Sequence, residues 1–126
     1  MMGTATILVV EDNRLNMKLV RDVLEFAGYD VVEATSGEQG VELALQRRPD
    51  LVLMDLQLPG IDGTEALHRI RRAGGSAPMP VVAVTASAMA ADREAASRAG
   101  FDGFLEKPIN ARALPSLVAA YLAGQS

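Results

Sequence analysis

Three short segments of this chain are apolar at every position: Ile7-Leu8-Val9-Val10, Leu51-Val52-Leu53-Met54 and Val81-Val82-Ala83-Val84. A strand with one wet face alternates apolar and polar residues. An unbroken apolar run of strand length is instead covered on both faces, as in a parallel sheet flanked by helices. A fourth run spans residues 101–105. The chain reads as five β–α units. Strands are predicted at about 6–10, 30–33, 51–54, 81–84 and 101–105. The first helix, about 13–27, carries Val20, Val23, Leu24 and Ala27 at helical spacing and stops at Gly28. Ser36 caps a second helix with Gly40, Val41, Ala44 and Leu45 on one face, ending before Pro49. The third starts near Gly63 and turns Ala66, Leu67 and Ile70 inward, and residues 74–78 form a loop. The fourth, about 88–99, is mostly alanine and charge and is weakly anchored. The fifth follows Asn110, buries Leu114, Leu117, Val118, Tyr121 and Leu122, and is expected to bend or be interrupted in its first turn at Pro115. Right-handed crossovers then favour a doubly wound α/β sheet.

Composition narrows the possibilities. With 126 residues the chain holds one domain, expected at 5–123 with short tails at 1–4 and 124–126. It is 49% hydrophobic with three Phe, two Tyr and no Trp, so the core is aliphatic. A net charge of −4 gives no pull on nucleic acid, and the absence of Cys removes thiol chemistry. No apolar stretch approaches a membrane span, and no export signal is visible, so a cytoplasmic address is expected.

The apolar runs end in chemistry. The first is followed by Glu11-Asp12, the second by Asp55, the third by Thr85, and the fourth leads to Lys107-Pro108. In a parallel sheet these carboxyl ends lie along one edge, where ligands bind. Two carboxylates about 4 Å apart repel by on the order of 4 kcal/mol at an effective dielectric near 20. A divalent cation offsets that repulsion, and oxygen ligands on a small rigid site suit Mg²⁺. Without metal, one carboxyl is expected to hold its proton at a raised pKa. Each residue also has a plainer reading. Asp12 or Asn13 could only cap the first helix, Asp55 could be a turn residue before Pro59-Gly60, Thr85 could cap the fourth helix, and Lys107 could be a surface lysine. The convergence of four strand ends on matching chemistry favours a site.

The segments Val9-Val10-Glu11-Asp12-Asn13, Leu53-Met54-Asp55 through Gly63, Val82-Ala83-Val84-Thr85-Ala86 and Phe104-Leu105-Glu106-Lys107-Pro108 together resemble the response-regulator receiver domain, the phosphoryl-accepting module of two-component signalling. The resemblance covers about residues 5–123. Asn16 and Gln57 make it most similar to the receivers of hybrid histidine kinases and of stand-alone regulators of the cell-division type. It implies a flavodoxin-like (βα)5 fold with strand order 2-1-3-4-5. Asp55 would take phosphate from a histidine kinase or histidine phosphotransfer protein. Asp12, Asp55, Glu11 and the carbonyl of Gln57 would hold Mg²⁺. Lys107, Thr85 and the N–H of Ala86 would contact the phosphoryl group, and the Lys107-Pro108 bond would be cis. Thr85 and Phe104 would form a switch, although Phe104 could instead be a plain core residue. The fourth helix, fifth strand and fifth helix would then present the output face to a downstream protein. The protein would be a monomer or a phosphorylation-dependent dimer, and a signalling module rather than an enzyme. Gln57 and Ser87 would govern dephosphorylation. By the same analogy Met17 and Lys18 would touch the kinase.

Other readings compete less well. An Asp-nucleophile phosphatase needs a cap or substrate pocket, for which no segment is spare. A nucleotide- or flavin-binding domain would be expected to carry a glycine-rich phosphate loop, and none is present. A receiver that only binds proteins would not need the full acid, Thr and Lys set. His68, the single histidine, is expected to face solvent and to be idle, and Arg47, Arg48, Arg69, Arg71 and Arg72 to be solvated helix ends.

Overall fold

Five parallel strands form one sheet in the order β2-β1-β3-β4-β5, as expected. The computed structural model describes residues 4–73, 79–86 and 89–124. The strands are β1 Thr6–Val10, β2 Asp30–Ala34, β3 Leu51–Asp55, β4 Val81–Thr85 and β5 Gly103–Glu106. The helices are α1 Arg14–Phe26, α2 Gly37–Arg47, α3 Gly63–Ala73, α4 Ala90–Ala99 and α5 Leu114–Leu122.

The unbroken apolar runs have a direct explanation. Alternate residues of β1, β3 and β4 feed two separate cores. Leu8, Val10, Val52, Met54, Val81 and Ala83 meet Ala44, Ala66, Leu67, Ile70 and Ala96 of α2, α3 and α4. Ile7, Val9, Leu51, Leu53, Val82 and Val84 meet Met17, Val20, Leu24, Leu114 and Val118 of α1 and α5. The central strands therefore have no wet face.

Several details differ from the sequence reading. β5 begins at Gly103; Phe101 is buried but precedes the strand, and the Tyr121 side chain fills the space a side chain at Gly103 would need. Pro115 marks the start of α5 rather than a bend inside it: the helix begins at Leu114, and proline in the first turn lacks an N–H that has no helical partner anyway. Residues 111–113 form a turn ahead of it, held by Asn110, whose Oδ1 accepts from the N–H groups of Arg112 and Ala113. Ala27 and Leu117 are exposed rather than inward. Met17 is buried, so it cannot meet a partner; Lys18 beside it is exposed. Arg71 is not a solvated helix end. It donates to the carbonyls of Met79 and Gly100 and to Asp102 Oδ2, which also accepts from the Val81 N–H. This clamp joins the end of α3 to the start of β4 and the end of α4. The 74–78 loop and Ser87 lie outside the described residues. Among the described residues no helix is long and apolar enough to cross a membrane.

Gly63 opens α3 directly beneath the end of β3. A Cβ there would lie 2.4 Å from the Asp55 carbonyl oxygen and 2.9 Å from the Leu56 Cα, both backbone atoms. Gly63→Ala is expected to destabilise the fold by about 1 to 3 kcal/mol, the range of overpacking, toward its upper end because backbone groups cannot rotate away. Urea unfolding measures this, and a loss under about 0.5 kcal/mol, typical of an open surface position, would contradict it.

Candidate functional site

The sheet ladder runs one residue beyond the strand ends and fixes the backbone from which the site is built. Glu11 N donates to Ala34 O at 2.9 Å, Leu56 N to Val84 O at 2.9 Å, and Lys107 N to Thr85 O at 2.7 Å. Register places Asp55 beside Val84 and Thr85 beside Glu106. Glu11, Asp55, Thr85 and Lys107 thus come from separate strands to one edge.

Lys107 binds the cluster together. Its Nζ lies 2.6 Å from Asp55 Oδ2 and 3.0 Å from Glu11 Oε1. Each carboxylate uses its other oxygen locally. Asp55 Oδ1 accepts from Gln57 N at 2.9 Å, and Glu11 Oε2 accepts from Asn13 N at 3.0 Å. Glu11 and Asp55 are 4% and 3% exposed, whereas Asp12 faces solvent. One oxygen from each of Glu11, Asp12 and Asp55 falls within 4.8 Å of the others. The three acids and Lys107 line an open pocket with Asn13, Arg14, Leu15, Asn16 and Gln57.

Three carboxylates face one ammonium, so the cluster carries excess negative charge. Burial pushes the Glu11 carboxyl above the usual carboxylate range, and the Asp55 charge adds to this, against the Asn13 N–H and Lys107. The raised carboxyl anticipated for a metal-free cluster is therefore Glu11. Burial works against the Lys107 charge, but its bonds to Asp55 and Glu11 outweigh that and hold its pKa above the ordinary lysine value. The donor set fits a hard divalent cation: it is all oxygen, closely spaced, open on one side and short of positive charge.

The plainer readings now separate. Asn13, not Asp12, caps α1, its Oδ1 accepting from Asn16 N at 2.9 Å. Asp12 is left at the pocket mouth. Thr85 is buried at the end of β4 and does not cap α4, whose N-cap is Met89. Asp55 makes its turn bond and still turns its second oxygen to Lys107. Lys107 is not a surface lysine, its side chain being only 20% exposed. The Lys107-Pro108 bond is cis. Phe104 pairs with Ala83 and so shares the sheet face of Thr85; it is half-buried against the core of α2, α3 and α4. The Arg93 guanidinium lies 5.5 Å from the centre of its ring, a contact that no local pattern announces. Ala86 is exposed next to Thr85, and His68 is exposed on α3, outside the pocket lining.

The model of the response regulator receiver domain matches residues 7–119. This chain belongs to that family. Among curated relatives of this receiver domain, the polar-differentiation response regulator DivK of Brucella ovis is 39% identical over 119 residues, covering 94% of this chain and 97% of that protein. DivK of Brucella anthropi is 38% identical over 117 residues, with 93% and 95% covered. Among solved structures, the receiver domain of sensor histidine kinase PA1611 from Pseudomonas aeruginosa superposes with a TM-score of 0.87 at 34% identity, covering 96% of this chain and 99% of that one. That structure has a magnesium ion coordinated in the active site cleft. A CheY-like receiver from Methanospirillum hungatei gives 0.86 at 29% identity, with 98% and 97% covered.

The raised Glu11 pKa has a signed consequence in metal-free protein. The folded state binds this proton more tightly than the unfolded chain, so the associated stability is full below the unfolded value of 4.5 and is lost as pH rises through the folded value. In EDTA, Glu11→Gln, which cannot ionise, is expected to gain stability relative to the unsubstituted protein as pH rises from 4 toward 8. Urea unfolding across that range gives the trend, and a difference that is flat or of opposite slope would contradict it.

Proposed function

We propose that Asp55 of this receiver domain accepts a phosphoryl group from a histidine on a kinase or phosphotransfer protein, with Mg²⁺ bound beside it. The observation that carries this reading is the buried Asp55 carboxylate at an open, acid-lined pocket, with its oxygen 2.6 Å from the one ammonium there. Asp12, Glu11, Asp55 and the main-chain carbonyl of Gln57 would hold the ion. When bound, it would neutralise charge on the phosphoryl oxygens. The magnesium in the receiver of PA1611 supports that choice.

A carboxylate oxygen of Asp55 forms the new bond to phosphorus while the bond from phosphorus to the donor nitrogen breaks, and the electron pair stays on the imidazole. Such transfer depends on alignment and charge stabilisation rather than acid–base chemistry. Lys107 shifts from the carboxylates to a phosphoryl oxygen, and the Thr85 hydroxyl and the Ala86 N–H donate to others. Thr85 moving toward the new group frees space on the sheet face it shares with Phe104. Phe104 then turns inward and away from Arg93, changing the α4, β5 and α5 face that a downstream protein reads. The chain works as a cytoplasmic signalling module whose chemistry is confined to its own phosphorylation and its reversal, with the unit spanning 5–123 and acting as a monomer or as a dimer formed on phosphorylation.

Incubation with acetyl phosphate and Mg²⁺, followed by intact mass measurement, tests this. One labile phosphate adduct is expected, absent from Asp55→Ala and absent in EDTA. Persistence of the adduct in Asp55→Ala, or steady turnover of phosphomonoesters without any adduct, would overturn it.

A further inference from the structure

The loop from β3 to α3 carries Gln57 and is tied at both ends. Leu56 N donates to Val84 O, Gly63 N closes the loop onto Leu56 O at 3.2 Å, and Asp62 Oδ1 caps α3 through Glu65 N. Its middle is held from elsewhere. Ile61 N donates at 3.3 Å to Glu38 Oε2, on the first turn of α2.

Two glycines make this contact possible. Gly60, at φ +74°, faces the Glu38 carboxylate so closely that a Cβ would lie 2.6 Å from Oε2. Gly37 sits against Ile61, and a Cβ there would fall 2.6 Å from the Ile61 carbonyl oxygen. The Gly37 backbone thus lies against the Ile61 backbone, and the Glu38 carboxylate lies against the backbone at Gly60. An acid in the first turn of a helix is ordinarily explained by the helix dipole alone. That explanation does not account for the hydrogen bond to Ile61 or for the missing side chains around it.

We propose that Glu38 is a positioning residue, whose carboxylate seats the β3–α3 loop on α2 and so fixes the Gln57 carbonyl at the Glu11, Asp12 and Asp55 cluster. This rests on the reading that Gln57 helps hold Mg²⁺. Partners one step removed from a metal set its affinity by holding the ligands in place.

Mg²⁺ titration calorimetry of Glu38→Ala and Glu38→Gln, with amide exchange at Ile61, tests it. Glu38→Ala is expected to bind Mg²⁺ about tenfold more weakly, at the low end for such partners, with faster exchange at Ile61. Glu38→Gln keeps an oxygen acceptor without the charge and is expected to restore both. Unchanged Mg²⁺ affinity in Glu38→Ala would overturn the role. So would equal weakening in the two variants, since charge rather than the hydrogen bond would then be responsible. If the unsubstituted protein takes up no Mg²⁺, the metal reading fails as well, a result visible before either variant is compared.

Discussion

The structure turns on one lysine between two buried acids. Glu11 and Asp55 are brought together by strands β1 and β3, and nothing in the sheet itself relieves their repulsion. Lys107 does so from β5, two strands away from β3. The remaining oxygens are tied to N–H groups two residues along the chain, so the carboxylates are oriented before any ligand arrives. Lys107 and the Arg14 guanidinium in the pocket lining still leave the three acids in excess. The surplus negative charge, with Asp12 exposed at the mouth, is the electrostatic reason this pocket suits a divalent ion.

The fold makes such a cluster possible by removing freedom from the backbone. Two apolar layers hold β1, β3 and β4 from both sides, and the hydrogen-bond ladder continues past the last strand residues. Side chains that leave the ends of these strands start from fixed positions. Exposure at α4 contrasts with this. Among the described residues with side chains, only Ala96 of that helix is buried, its N-cap Met89 makes no side-chain bond, and its far end is gripped by Arg71.

Much of this was legible in the sequence because burial on two faces leaves an unmistakable pattern. Runs such as Leu51-Val52-Leu53-Met54 admit few partners other than parallel strands, and the polar residues that end them share an edge by topology alone. What escaped depends on contacts between distant segments. Arg71 reads as a helix-end cation until Asp102 is placed beside it. Glu38 reads as a dipole-favoured acid until Ile61 is seen against it. Asp12 and Asn13 are equally good caps by type, and only the helix start decides for Asn13. Met17 has the spacing of the inward stripe, three residues before Val20, and family analogy drew it outward wrongly.

The most direct measurement is anomalous diffraction from crystals of the protein soaked in Mn²⁺. One peak is expected among Glu11, Asp12 and Asp55, within coordination distance of their oxygens, with Lys107 still beside Asp55. An ion bound elsewhere, or an Asp55 carboxylate turned away from both Glu11 and Lys107, would contradict the central claim.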